Sequence, residues 1–262
     1  MDWVYAIDPL YSVSGFCVGV LVGMTGVGGG SLMTPLLILM FGINPATAVG
    51  TDLLYASVTK SGGTLVHGMS RTVDWRVVGR LATGSVPATV LTIAALSQID
   101  MHGAAARHLI TTALGIALFA TAAALLLRRQ ILRLYGKRLG DLDPRRTLVL
   151  TVGAGAVLGV LVSISSVGAG AIGATVLFLL YPQLPTARIV GSDIAHAVPL
   201  TLVAGFGHCM LGAIDWPLLG SLLVGSLPGI VLGSLLSVRV PDLALRVTLA
   251  TTLVVVGSRL LF

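Results

Sequence analysis

The chain contains itself twice. Val20-Leu21-Val22-Gly23-Met24-Thr25-Gly26-Val27-Gly28-Gly29-Gly30 returns as Val160-Leu161-Val162-Ser163-Ile164-Ser165-Ser166-Val167-Gly168-Ala169-Gly170. Further on, Val49-Gly50-Thr51-Asp52 is echoed by Val190-Gly191-Ser192-Asp193, Asp74-Trp75 by Asp215-Trp216, and Gly84-Ser85-Val86-Pro87 by Gly225-Ser226-Leu227-Pro228. From Asp52 onward the offset is a constant 141 residues, which also pairs His67 with His208. Glycine-interrupted apolar segments at matching places in two halves are the pattern of a secondary transporter.

Composition sets the solvent. Of 262 residues 55% are hydrophobic and only 10% charged, with a mean hydropathy of +0.99, whereas a soluble globule needs a charged fraction of about 25%. The chain belongs in a bilayer. Spanning a bilayer takes roughly 20 mostly apolar residues, and such windows fall at about 47–68, 76–96, 104–127, 187–211, 217–236 and 243–261. Residues 11–41 and 149–181 are each too long for one simple span and carry a Gly/Ser break in the middle. Met1 to Asp8 holds two acidic residues and no basic one, so no positively charged secretory leader is expected. Cys17 and Cys209 sit in or beside apolar segments, where a thiol acts as a small hydrophobe, and no disulfide is expected.

The net charge of +6 is not read as a nucleic-acid footprint. Seven of the 16 basic residues lie between Arg128 and Arg146, and a basic loop in a membrane protein marks the cytoplasmic side. The organisation is therefore a first transmembrane repeat (1–127), a basic cytoplasmic linker (128–146) and a second repeat (147–262). With that linker inside, the loops near Arg71 and Arg76, at Pro182 to Arg188, and at Arg239 are also inside. The turns at 42–46, at 97–103 and around Asp215 are outside. This assignment requires each broken stretch to enter and leave on one face as a hairpin. Each half then has three crossings plus a hairpin, and the second copy is inverted. The alternative, eight crossings with parallel halves, puts the acidic N-terminus inside and weakens the charge asymmetry. The predicted fold is thus an all-α polytopic membrane protein of two inverted repeats, each a glycine-tipped broken helix plus three transmembrane helices.

The breaks carry the chemistry. Residues 31–41 cover about half a bilayer at roughly 1.5 Å per residue, so the hairpin tip lies deep. Gly26, Gly28, Gly29 and Gly30 permit close backbone approach, and Ser31 is a candidate N-cap for a helix running to about Met40. Ser165, Ser166, Gly168 and Gly170 stand before Ala171 in the second copy. Small residues also serve plain helix packing, but four glycines within five residues favour a functional break. Non-helical backbone at that depth must be buried in protein or line a cavity. Unpaired N–H groups at a helix start, with the positive dipole end, favour an anion.

Asp52 and Asp193 are equivalent and intramembrane, which demands a partner or a role. Proton coupling and structural clamping of the neighbouring hairpin's N–H groups are both open. Lys60 shares a helix side with Asp52 and His67. Its counterpart is Thr201, so it adds a single unpaired-by-symmetry charge, either contacting the anion or pairing with Asp52. Tyr55 maps onto His196, and Thr51 onto Ser192, completing the candidate binding and coupling set. His67 and His208, at segment ends, are read as caps or water-facing groups. Trp75 and Trp216 are read as interfacial anchors, Pro87 and Pro228 as kinks, and Arg188 as a topological charge.

The stretch Gly26-Val27-Gly28-Gly29-Gly30 through Thr34-Pro35, then Ala48-Val49-Gly50-Thr51-Asp52 and the His67 to Trp75 segment, resemble the TauE/SafE sulfite exporter family of bacterial membrane proteins. The resemblance spans both halves, and Ser165-Ser166-Val167-Gly168 departs from the full glycine run. It implies an inner-membrane carrier of sulfite or organosulfonates, often for export. The expected partners are a small anionic substrate and membrane lipid, with no nucleic acid, no cofactor and no metal; a homodimer is left open. The competing classes are an anion channel and an intramembrane enzyme. For the enzyme, neither a Gly-x-Ser-x-Gly elbow nor a His-Glu-x-x-His pair occurs.

Overall fold

A computed structural model describes residues 7–25, 30–140, 142–236 and 242–261. Those residues form ten helices: α1 (Pro9–Thr25), α2 (Gly30–Leu39), α3 (Pro45–Met69), α4 (Trp75–Leu96), α5 (Ala104–Gly140), α6 (Pro144–Ser165), α7 (Ala171–Leu180), α8 (Thr186–Met210), α9 (Trp216–Leu236) and α10 (Asp242–Leu261). The fold is an all-α polytopic membrane fold. Five helices are long and apolar enough to cross a bilayer: α4, the Ala104–Tyr135 part of α5, α6, α8, and Trp216–Gly233 of α9. α5 continues through the basic stretch to Gly140, so most of the 128–146 segment extends a helix.

Capping residues fix where these helices begin. The Asp74 carboxylate accepts hydrogen bonds from the backbone N–H groups of Arg76 (3.1 Å) and Val77 (3.3 Å) at the start of α4. Its repeat counterpart Asp215 accepts from Leu218 at 2.9 Å at the start of α9. Asp143 does the same for α6, accepting from Arg146 at 2.7 Å, with Pro144 at the first helical position, where its missing N–H costs nothing. Trp75 and Trp216 lead α4 and α9 and are 62% and 56% exposed, as interfacial anchors are.

Both broken stretches fold back on themselves. In the second copy, the Thr151 hydroxyl of α6 lies 2.9 Å from the Tyr181 hydroxyl at the end of α7. In the first, the rings of Tyr11 and Phe41 meet edge to face with centroids 4.9 Å apart. These are the same two positions under the repeat, one pair joined by a hydrogen bond and the other by aromatic contact. α6 alone has the length of a full crossing, yet its chain returns through the ten-residue α7 to the level of Thr151.

Glycines let the copies interlock. Gly15 meets the backbone of Leu222, and Gly19 meets Ser226; in the other copy Gly155 meets Leu81, and Gly159 meets Ser85. α1 therefore packs along α9 and α6 along α4, each pair parallel, with backbones in direct approach. The long helices α3 and α8 pack antiparallel, since Leu54 meets Gly205 and Gly63 meets Ile194. α5 and α10 also pair antiparallel, through Gly115 on Leu261 and Gly257 on Phe119. Two cross-copy pins repeat as well: the Thr51 hydroxyl accepts from the backbone of Asp215 (3.1 Å), and the Ser192 hydroxyl from that of Asp74 (2.8 Å).

Candidate functional site

The two breaks meet. α6 ends at Ser166 in the left-handed region (φ 58°), and Gly168 and Gly170 both have φ of 127°, a conformation that a side chain would strain. Ser165, Ser166 and Val167 are all buried, at 0%, 7% and 1% exposure. α7 then starts at Ala171. From the first copy, Gly30 opens α2 against the backbone of Ser166, so closely that a Cβ there would overlap the Ser166 carbonyl oxygen. The start of α2 is thus held in the interior against the break that precedes α7 in the opposite repeat. Gly26, Gly28 and Gly29 lie outside the described residues.

Three ionisable groups converge on this meeting point. Asp52, fully buried, accepts a hydrogen bond from the Thr34 hydroxyl on α2, and its other carboxylate oxygen has no hydrogen-bond partner. Asp193, 3% exposed, faces the backbone N–H of Gly170 at the start of α7 and also keeps one oxygen without a partner. Each carboxylate therefore clasps the start of its own copy's short helix. Lys60, partly buried, reaches inward and donates to the Ala169 carbonyl at 3.4 Å. Its charge is felt by Asp193 and by Asp52, although no direct ion pair joins it to either among the described residues. The Ser166 hydroxyl is buried beside Asp52 without a hydrogen-bond partner.

Around this centre the polar residues again match across the copies. The His196 Nε2 lies 2.9 Å from the Ser85 hydroxyl, and Tyr55, the counterpart of His196, stands beside Ser226, the counterpart of Ser85. The Tyr55 hydroxyl and the His196 Nδ1 have no hydrogen-bond partner. His208, fully buried, donates from Nε2 to the Ser163 carbonyl at 2.9 Å, capping a carbonyl inside the protein rather than at an interface. His67 sits at the far end of α3, bonded to the Thr72 hydroxyl at 2.8 Å.

The structure thus brings together Gly30, Lys60, Ser166, Gly170, Asp52 and Asp193, with Ser31 on the buried face of α2. Gly168 supplies the turn. The hydroxyls of Thr51 and Ser192 are engaged in the cross-copy pins, and Ser165 bonds back to Leu161 at 2.7 Å. Sequence reasoning passes over Thr34, Ser85 and Ser226. For the two serines the signal was there, because the Gly-Ser-x-Pro motif recurs whole, its serine as faithfully as its proline.

Thr34 supplies a direct check on the Asp52 clasp. Thr34→Val keeps the side-chain volume but removes the donor, leaving a buried carboxylate oxygen unpaired at a cost of about 1–3 kcal/mol. Thr175→Val removes only a hydroxyl bonded at 2.7 Å within its own helix, to Ala171, and is expected to cost less than about 1 kcal/mol. Thermal unfolding of the two variants in detergent measures the difference; equal losses would deny the clasp.

Over residues 11–260 the chain matches the family described as "Sulfite exporter TauE/SafE". It is 38% identical over 213 residues to the "Probable membrane transporter protein YjnA" of Bacillus subtilis (strain 168), covering 80% of this chain and 82% of that protein. Similarity to the "Probable membrane transporter protein YdhB" of the same organism is 27% over 251 residues, covering 94% of this chain and 97% of that protein. No solved structure gives a significant match.

Proposed function

The chain belongs to the TauE/SafE sulfite exporter family of membrane transporters, and from that premise we propose that it carries a small sulfur-containing oxyanion, sulfite or an organosulfonate, across the bacterial inner membrane by alternating access. The observation that carries the reading is the meeting of the two breaks, the start of α2 at Gly30 lying against Ser166 at the end of α6 and the Lys60 ammonium donating to the Ala169 carbonyl just before the start of α7. Helix N-termini present N–H groups and positive dipole ends to an anion, and an ammonium in a low-dielectric interior adds to the attraction. Broken helices at the interface of two repeats are where transporters of this architecture hold their substrates.

The antiparallel pairing of the equivalent helices α3 and α8, and of α5 and α10, supports an inverted relation between the copies. Rocking of one copy against the other would then expose the shared centre alternately. Loss of one negative charge from an interior-negative cell is favourable by about 2.3 kcal/mol per 100 mV, so outward movement needs no second ion. Proton coupling through Asp52 or Asp193 is the secondary element. With both carboxylates ionised against a single ammonium the centre is already net negative, and a proton bound alongside the anion offsets the added charge.

Three experiments address this. A thermal-shift screen of the purified protein against sulfite, sulfate, taurine and sulfoacetate should give selective stabilisation by one sulfur oxyanion, because a ligand bound only to the folded state raises stability by mass action; no shift with any of them would count against the substrate class. In liposomes, Asp52→Asn should lose transport driven by a pH gradient while keeping substrate exchange, and undiminished driven transport would refute the coupling. Counterflow separates carrier from channel: substrate on the trans side should accelerate a carrier.

A further inference from the structure

Two groups of four helices hold together, and neither is a sequence copy. α9 lies in a glycine seam on α1, where a Cβ on Gly225, Gly229 or Gly233 would overlap the backbone oxygen of Ser12, Phe16 or Val20 in turn. α4 lies likewise on α6, with Gly84 against Val152 and Gly155 against Leu81. Hydrogen bonds between helices sort the same way. Ser12 of α1 donates to the Ser221 carbonyl of α9 at 3.0 Å, and the Thr51 hydroxyl of α3 holds the start of α9. In the other group, Thr89 of α4 donates to the Gly159 carbonyl of α6 at 3.4 Å, Arg80 of α4 donates to the Tyr181 hydroxyl just past α7 at 3.2 Å, and Ser192 of α8 holds the start of α4. Two buried cores match these groups. One gathers Val18, Met33, Tyr55 and Leu222 from α1, α2, α3 and α9; the other gathers Leu81, Leu177 and Ile189 from α4, α7 and α8.

We propose that alternating access moves α1, α2, α3 and α9 as one body against α4, α6, α7 and α8 as the other, so that the copies rock with their fourth helices exchanged. The inference rests on the carrier reading above and specifies what moves in it. A seam in which backbones interlock at successive glycines has no room to slide, because displacement along it drives a side chain into the space of a missing Cβ. The boundary between the bodies is built otherwise. There α3 meets α8 through side chains, Leu54 on Gly205 and Ile194 on Gly63, and a further core joins Leu53 to Leu200 across it; sliding of packed helices by small shear is open to such a contact. The site divides along the same plane. Gly30 and Asp52 belong to one body, Ser166 and Asp193 to the other, and the bond from Lys60 to the Ala169 carbonyl spans them at a long 3.4 Å. The α5 and α10 pair flanks both, packing on Leu32 of α2 and Leu161 of α6.

The chain passes between the bodies at two equivalent turns, from α3 to α4 and from α8 to α9. Each holds one residue in the left-handed region, Arg71 (φ 53°) and Gly212 (φ 71°), which are partners under the offset of 141 residues. Each is closed by the same bond. The Thr72 N–H donates to the His67 carbonyl and the Ala213 N–H to the His208 carbonyl, both at 2.9 Å. A few residues at the ends of helices that absorb a change in backbone angles are what a hinge consists of, and these two turns stand where the exchanged bodies require one.

Four exposed valines test it. Val13 on α1, Val90 on α4, Val157 on α6 and Val224 on α9 are 59%, 53%, 66% and 53% exposed, and a cysteine at each takes a spin label once Cys17 and Cys209 are replaced by serine. Distances are read by pulsed electron spin resonance in liposomes with and without sulfite. The pairs 13–224 and 90–157 join different copies within one body and should keep their distances. The pairs 13–90 and 157–224 lie within one copy but in different bodies, and their mean distances should shift by more than the width of the distribution. The reverse pattern, with fixed pairs inside each copy and moving pairs across the seams, would overturn the exchanged bodies and leave the carrier reading intact. Should no pair move, alternating access itself is denied and this inference falls with it. Cross-links give a second measurement that does not depend on the labels. Joining Gly63→Cys to Ile194→Cys across the boundary should lower sulfite flux about tenfold or more, reversibly with a reductant, whereas joining Ser12→Cys to Ser221→Cys within a seam should leave it within about twofold, because only the first blocks the conformational step. Equal arrest by the two links would likewise overturn the exchanged bodies.

Discussion

Lys60→Met is expected to lose transport by about two orders of magnitude and to destabilise the fold, whereas adding Asp193→Asn to it restores stability without restoring transport. Lys60 supplies the positive charge between Asp52 and Asp193 at the meeting of the breaks. Removing one member of a buried set of charges leaves the others uncompensated, at about 3–5 kcal/mol. For a chain of this size that corresponds to a fall in Tm on the order of 10 °C. The double variant carries one carboxylate fewer, so the uncompensated charge is relieved. The ammonium that attracts the anion is still missing, so transport stays low. Tm and initial transport rates of the two variants measure the two effects separately. A double variant as unstable as Lys60→Met would mean that the lysine acts by packing, and a single variant with normal transport would remove it from the site.

The second large effect concerns the interlocked helices. Gly84 and Gly225 are repeat partners, and a Cβ at either would overlap a backbone carbonyl oxygen of the neighbouring helix, Val152 for Gly84 and Ser12 for Gly225. A backbone oxygen cannot rotate aside as a side chain can, so α4 must move off α6, or α9 off α1, along the whole seam. Gly84→Ala and Gly225→Ala should each cost about 3 kcal/mol or more, at the upper end of what overpacking does. The molecule contains its own control. Gly79 and Gly220 are also repeat partners on the same two helices, and a Cβ at either has nothing within 4 Å. Gly79→Ala and Gly220→Ala should therefore be neutral or stabilising by roughly 0.5–1 kcal/mol, through reduced backbone freedom in the unfolded chain. Thermal unfolding of the four variants gives the comparison directly; if the control pair falls as far as the seam pair, glycine at these positions serves something other than close approach.

The seam shows how sequence and structure divide the work. The repeat makes the glycines visible in pairs, and the offset of 141 residues alone identifies Gly84 with Gly225. It does not tell Gly84 from Gly79, since both sit within one apolar run and only the neighbour's backbone distinguishes them. The breaks were likewise legible. A helix beginning near Ser31 and another at Ala171 follow from the glycine and serine clusters, and the helices begin at Gly30 and Ala171. Hydropathy was less faithful at α6, where one arm of a predicted hairpin is a helix of 22 residues, long enough to cross; apolar length limits what a helix can do without deciding where the chain turns.

At the site, the charged residues announced themselves because an ionisable group within an apolar run is costly. Asp52, Asp193 and Lys60 were found for that reason. Thr34, Ser85 and Ser226 were harder to find, since hydroxyls are cheap in a membrane helix and bond readily to their own backbone. Thr51 and Ser192 illustrate the converse, being prominent in the repeated motif yet spent on pinning the starts of α9 and α4.

By itself the sequence determined the solvent, the helical class, the internal repeat and the place of the two breaks along the chain, because each follows from local composition and from spacing along one chain. Only the tertiary structure decided that the breaks of opposite copies touch and that α1 lies on α9 rather than within its own half. Those outcomes depend on which backbone approaches which across more than a hundred residues, and close approach is a property of two surfaces that no single segment encodes.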